Sequence, residues 1–379
     1  MGELELLPVT PTTLLRSAGW FLAFFWALFL GSIVLPGFRH RGFPQPDGAR
    51  KDYKLSGFVL FGSTHVVIGL GVAFLGWRLT PLLTHFWSLF IVVNAWAFLF
   101  LAYLFVRGRR REKAIERDSK LPAFLHDLWF GIELNPTLFG VDLKMFFYHP
   151  SLIGLAVMNA SFAFAQWELY GALTPEMVLY QAFAWSYLFT HYLKEHFMLS
   201  TWDILAERFG FMLVWGDLVY VPFLYSMVGW WVLPRGWEET HGEWVHDAWP
   251  TLAYVALAAF HLLSHWIFRS SNWQKDRFKR DPNVTIWGKK AETLDGKLLV
   301  SGWWGVGRKI NYTGEIGVYI SFALCAGFSS PWPYVLPLTL IILLTQRAGR
   351  DDKRCREKYG ELWERYCERA RFRIFPFVY

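Results

Sequence analysis

Residues 83–106 read LTHFWSLFIVVNAWAFLFLAYLFV, and RGRRR follows at once at 107–111. The stretch holds no Asp, Glu, Lys or Arg. As a helix it is about 36 Å long, enough to cross a hydrocarbon core of ~30 Å, and the arginine run marks where the chain re-enters water. Comparable apolar blocks lie near 13–35, 56–77, 150–168, 176–194, 208–233, 250–268, 315–328 and 332–346. A backbone in lipid has to satisfy its own polar groups, so these blocks predict helices. The expected fold class is all-α, a polytopic integral membrane protein.

Composition agrees. Of 379 residues, 54% are hydrophobic and 19% aromatic, and only 18% are charged. A soluble domain carries about 25% charge. The net charge of +7 does not point to nucleic acid, because the cations sit in clusters between apolar blocks. One set of alternate loops holds Arg39, Arg41, Arg50, Lys51 and Lys54, then Arg107, Arg109, Arg110 and Arg111, then the stretch from Arg269 to Lys309 and the tail after Arg347. The opposite set holds Arg78, Glu168, Glu176 and an acidic loop with Glu238, Glu239, Glu243 and Asp247. The basic face is therefore expected to be cytoplasmic. The first block has neither a basic start nor a small-residue cleavage site and is expected to stay as a span. The longest polar stretch, 269–310, contains Trp287, Leu298, Leu299, Trp303 and Trp304, so it is expected to fold over the last spans as a cytoplasmic cover. Cys325, Cys355 and Cys367 make no disulfide framework and no zinc spacing.

Ionisable groups inside spans are costly and point to function by default. Asp217 lies mid-block, and His65, His191, Glu195, His261 and His265 are similar cases. His261 and His265 stand one helical turn apart, a spacing that suits a metal. A membrane di-iron enzyme would need several histidine boxes, and the 11 histidines include no adjacent pair. The pair therefore reads as an interhelical hydrogen-bonding couple, and no metal is expected.

The carboxy-terminal third is patterned differently. Lys275, Lys279, Arg308, Lys309, Arg347, Arg350 and Lys358 are interleaved with Trp304, Asn311, Tyr312, Asp351, Cys355, Tyr359 and Tyr366. Lipid headgroups account for the cations alone. A nucleotide accounts for the mixture: phosphates take Lys and Arg, a ring takes an aromatic face, and a carboxamide takes a donor and an acceptor. Gly305 and Gly307 lack the third glycine of a dinucleotide fingerprint and no strand precedes them, so any such site is built without a Rossmann fold.

LLVSGWWGVGRKINYTGE (298–315), RDDKRCREKYGELWERYC (350–367) and RIFPFVY (373–379) together resemble the sterol reductase family. HDLWFGIELNPTLFGVDLKMFF (126–147), LSTWDILAERFGFMLVWGDLVYVPFLYS (199–226) and IWGK (286–289) agree, so the likeness runs from about residue 15 to the end. The resemblance implies one membrane domain over 1–379 with about ten spans, its helices at 13–200 preceding a sterol- and NADPH-binding half at 201–379. It implies NADPH-dependent reduction of a sterol double bond, with Lys275, Lys279, Leu299, Trp304, Asn311, Tyr312, Asp351, Cys355, Lys358, Tyr359 and Tyr366 at the cofactor. Glu315 stands where Asp is usual, Gln346 where His is usual, Lys279 where many members have Arg, and Thr137 follows ELNP in place of Arg. The ELNP and WGD runs most resemble the delta-14 branch, with delta-7 and delta-24(28) reduction as alternatives.

An isolated double bond is electron-rich and repels hydride, so a proton must arrive first. Protonating a delta-8,14 dienol at carbon 15 leaves a tertiary, allylic cation at carbon 14. The acid is expected to be Asp351 or Tyr225, with Asp217 and Glu133 as second choices: a buried carboxyl holds its proton, and a phenol already has one. The sterol is expected to enter from the bilayer between the aromatic runs 208–233 and 315–334. The membrane is endoplasmic reticulum if the source is eukaryotic and the inner membrane if it is bacterial. Two rivals are an isoprenylcysteine-type methyltransferase, which lacks the ELNP stretch, and a non-enzymatic role like that of the lamin B receptor, which needs a nucleic-acid-binding domain ahead of the first span.

Overall fold

The computed structural model describes residues 4–44, 48, 50–111, 117, 121–234, 248–376 and 378. The acidic residues Glu238, Glu239, Glu243 and Asp247 lie outside the described residues. The chain divides into two compact units, Met1–Pro234 and Arg235–Tyr379.

In the amino-terminal unit, helix α1 (Pro11–Val34) starts at a capping box in which the Thr10 side chain accepts from Thr13 N–H, with Pro11 filling the first turn. Helix α2 (Gly57–Leu75) and helix α3 (Phe86–Arg111) follow. Helix α4 (Leu143–Tyr170) is capped by Asp142, whose side chain accepts from Met145 N–H, and ends at left-handed Gly171. Helix α5 (Pro175–Leu193) begins at Thr174 in the same way. Rings make the core. Phe25 of α1, 2% exposed, has Trp96 of α3 at 5.4 Å and Phe146 of α4 at 5.2 Å, both edge-on.

Two departures from the expected helices affect the site. Block 208–233 is not one regular helix: Phe211–Trp215 is α-helical, Gly216–Leu224 is a π-helix, and Gly229–Val232 is α-helical again. Pro222 has no N–H to give and its ring crowds the carbonyl a turn back, and the wider π turn absorbs that conflict. The polar stretch after 268 does not begin as a loop either. Helix α6 (Ala248–Arg280) runs on through it, with Arg280 bonded to Asp276 one turn back at 2.9 and 3.1 Å.

Among the described residues, six helices are long and apolar enough to cross a bilayer: Pro11–Val34, Gly57–Leu75, Phe86–Arg111, Leu143–Tyr170, Phe211–Val232 and Thr251–Arg280. Helices α5, α7 (Ile310–Leu324) and α8 (Val335–Tyr359) coincide with expected blocks but are too short or too polar to count by that measure.

The two motif stretches of the amino-terminal unit fold onto each other. Phe209 N–H donates to Glu133 O at 2.9 Å, and buried Lys144 donates to the carbonyls of Asp203 (2.5 Å) and Glu207 (2.7 Å). Gly131, at φ 89°, lies so close that a Cβ there would stand 2.5 Å from Gly210 N. Glu195 is a structural anchor: it accepts from Gly57 N–H at 3.0 Å and meets His149 Nε2 at 3.0 Å. Glu195→Ala strands both buried partners. It is expected to cost about 3 kcal/mol, read as a lower melting temperature of the solubilised protein.

In the carboxy-terminal unit α6 and α7 pack closely. A Cβ on Gly314 would stand 2.4 Å from Phe268 N. His261 Nδ1 meets Ser321 Oγ at 2.8 Å across this pair, the interhelical hydrogen bond expected of it. Two short antiparallel hairpins, 285–290 and 293–299, lie between the two helices in sequence. Helix α9 (Glu361–Arg369) follows α8, and the chain then returns so that Phe372 pairs with Gly307.

Candidate functional site

The carboxy-terminal unit gathers the expected cofactor residues from α6, the segment 298–306, α7, α8 and α9. Because α6 continues past the apolar block, Lys275 and Lys279 fall one turn apart on a rigid helix. Trp304 is fixed against that helix: its Nε1 donates to Ser271 O at 2.9 Å, and Lys275 Nζ sits 4.6 Å from its ring centre. The turn before it is set by Gly302 at φ 62°, where a Cβ would stand 2.4 Å from Gln274 Oε1. Gln274 Oε1 in turn accepts from Trp303 N–H at 2.9 Å. Leu299 packs with Trp304, Phe278 and Ile286.

The other wall comes from α8 and α9. Tyr359 and Trp363 stack with their ring planes 22° apart, and the Tyr366 hydroxyl donates to Trp304 O at 3.4 Å. Cys355 and Tyr359 pack on the cluster of Val300, Trp363 and Tyr366, and Tyr312 on that of Ile316, Leu344 and Ile374. Burial holds the Cys355 thiol and the Tyr366 phenol above their ordinary pKa values, although Lys309 and Lys275 pull the thiol down. Cys355 is therefore a protonated thiol and no nucleophile.

Lysines cluster here. Lys275, Lys279, Lys309 and Lys358 stand close enough to act on their neighbours' ionisation, Asp276 and Asp352 act on the same group, and Asp351 touches Lys309. Lys309 Nζ donates to Asp351 Oδ2, and Cys355 Sγ lies 3.9 Å from Asp351 Oδ1. Asn311 donates from Nδ2 to Asn272 Oδ1 at 3.4 Å, while its own buried Oδ1 has no hydrogen-bond partner among the described residues. Clustered cations, flat aromatic faces and a buried carboxamide oxygen with no bond among the described residues together fit a phosphorylated, aromatic, amide-bearing group.

The expected acids divide between the units. Asp351 is in the carboxy-terminal unit with the lysines. Tyr225, half-buried, ends the π-helix of the amino-terminal unit with its ring 5.5 Å from Tyr220. Asp217 is 8% exposed within that π-helix. Glu133 is paired with Arg107 at 2.9 Å. The same unit encloses an apolar cavity of about 140 Å³, its lining including Trp20, Phe21 and Phe24 of α1 and Leu218, Pro222 and Phe223 of the π-helix.

Sequence reading did not single out Asn272 or Gln274, and it placed Lys309 in the basic cluster without a partner. A usable signal was present for its pairing: Arg308 and Lys309 are adjacent cations and Asp351 and Asp352 adjacent acids, and they meet in reverse order, Lys309 on Asp351 and Arg308 on Asp352.

A family model described as the Ergosterol biosynthesis ERG4/ERG24 family matches residues 8–379. The chain is 38% identical over 360 residues to Delta(14)-sterol reductase of Arabidopsis thaliana, covering 94% of each protein. It is 37% identical over 370 residues to Delta(14)-sterol reductase of Methylotuvimicrobium alcaliphilum, covering 96% of this chain and 83% of that one. It is 30% identical over 383 residues to 7-dehydrocholesterol reductase of Xenopus laevis, covering 93% and 77%.

Proposed function

The chain belongs to the ERG4/ERG24 ergosterol biosynthesis family, and from that premise we propose that it is an NADPH-dependent delta-14 sterol reductase taking its substrate from the bilayer. The full-length likeness to Delta(14)-sterol reductases of a plant and a bacterium carries this reading. A reduced nicotinamide, when bound, supplies a hydride. Lys275, Lys279 and Lys358 would hold its phosphates, Trp304, Tyr359 and Tyr366 offer it flat faces, and Asn311 has a free acceptor for an amide. Leu299 and Tyr312 support these groups by packing.

The remaining chemistry is protonation. A carbon–carbon double bond accepts a proton only from a well-placed acid, and the resulting cation survives only where water is excluded. Asp351 is our assignment for the acid, and Tyr225 the second. Asp351 is favoured by its place among the residues proposed to hold the nicotinamide, with Lys309 and Cys355 against its carboxyl.

The test is to incubate solubilised protein with NADPH and a delta-8,14 sterol and to analyse the sterol by mass spectrometry. The expected product is heavier by two hydrogens and lacks the delta-14 bond. Turnover of a delta-7 or delta-24(28) sterol alone would move the assignment to another branch of the family. Heat protection by S-adenosylmethionine and not by NADPH would overturn it.

A further inference from the structure

The Lys309–Asp351 pair has a geometry that a simple anion site does not require. Lys309 is 7% exposed and its ammonium is spent on Asp351, so it adds little free charge for a phosphate. The flanking contacts hold the two residues in register. Arg308 reaches Asp352 at 3.7 Å and the carbonyl of Ala370 at 2.9 Å, and Arg373 reaches Asp352 at 2.8 Å. Arg308 N–H donates to Phe372 O at 2.9 Å. The returning tail thus clamps the residues on either side of the pair.

We propose that Lys309 supplies the proton that Asp351 delivers, acting through that carboxyl as the residue that positions and reloads it. The proposal rests on the reading of Asp351 as the acid. The groups facing Lys309 are Lys275 and Lys279 from α6, Asp351, Asp352 and Cys355 from α8, and Arg308 beside it. Burial first, and then the charge of Lys275, lower the ammonium to a pKa of about 7, against the opposing pull of Cys355 and Asp352.

The protons balance as follows. An N–H bond of Lys309 breaks and an O–H bond forms on the Asp351 carboxylate, leaving a neutral acid beside a neutral amine. The O–H bond then breaks as a C–H bond forms on the sterol, restoring the carboxylate. The amine takes a proton from water of the medium. Each turnover consumes one such proton and one hydride from reduced nicotinamide.

Lys309→Arg tests this in the full-length solubilised protein. The guanidinium keeps a cation against Asp351 but does not release a proton near neutrality. The expected result is a fall in kcat of at least about tenfold at neutral pH with KM for NADPH held, and loss of the alkaline limb that the wild type shows near pH 7. A second readout needs no cofactor: competitive acetylation by acetic anhydride, read by peptide mass spectrometry across pH. Lys309 is expected to become reactive near pH 7, far below the exposed Lys353, and lower still in Asp351→Asn. A Lys309→Arg enzyme with wild-type kcat and pH profile, or a Lys309 that titrates with Lys353, would overturn the relay. An active Asp351→Asn enzyme would instead remove the acid assignment on which the relay depends.

Discussion

Asp351→Asn is expected to abolish turnover, lowering kcat by about 10³-fold, while leaving heat protection by NADPH detectable. The substitution preserves shape and one acceptor oxygen, so the aromatic wall of Tyr359, Trp363 and Tyr366 keeps its packing. What it removes is the group able to hand over a proton and the counter-charge of Lys309. A buried ammonium without its partner costs about 3 kcal/mol or more. The same variant therefore carries a stability signature with a definite sign. In the folded protein Lys309 loses its proton at lower pH than in the unfolded chain, whose lysines titrate near 10.4. Between the two values the unfolded state binds more protons, so stability rises with pH. Asp351→Asn is expected to melt lowest below pH ~7 and to recover toward pH ~10. A variant that loses activity with no such recovery would place Asp351 away from Lys309. A variant that keeps activity would shift the acid to Tyr225.

The apolar architecture was legible because lipid imposes it. Residues 83–106 have to be helical, and α3 is a helix from Phe86 to Arg111. Local chemistry that competes with helix periodicity was not legible. Pro222 sits inside an unbroken apolar run, and a hydropathy reading cannot tell a π turn from an α turn there. The reach of α6 past residue 268 was hidden for the opposite reason. Its last three turns are polar, and only the packing of Trp303 and Trp304 against Ser270 and Ser271 shows that they are helix with a partner. The residues proposed for the cofactor stand out as a pattern, since motif spacing survives without coordinates. Their pairings were not. Lys309 and Asp351 are 42 positions apart, and sequence identifies both as charged without showing that they touch.

The largest structural effect is expected at Gly314, and comparison with Gly317 separates backbone from side-chain constraint. Helices within a membrane lack a hydrophobic drive toward each other and gain by close approach at small residues. A Cβ on Gly314 would meet Phe268 N at 2.4 Å, Phe268 Cα at 2.8 Å and Ser264 O at 2.8 Å. These are main-chain atoms of α6, which no rotamer change moves away. A Cβ on Gly317 would meet Ser264 Oγ at 2.4 Å and Ser264 Cβ at 2.9 Å, both side-chain atoms. Gly314→Ala must therefore push α6 from α7, at an expected cost of about 3 kcal/mol, and Gly314→Leu is expected to prevent folding of this unit. The same shift separates Lys275 and Lys279 on α6 from Asn311 and Tyr312 on α7, so NADPH protection should vanish together with stability. Gly317→Ala should cost about 1 kcal/mol, and a second substitution, Ser264→Gly, should restore it. Ser264→Gly cannot rescue Gly314→Ala, because the carbonyl of residue 264 and the backbone of Phe268 remain. Thermal melts of the three single and two double variants, with and without NADPH, give the comparison. Equal rescue at both positions would mean that side chains, not main chain, set the spacing of this helix pair.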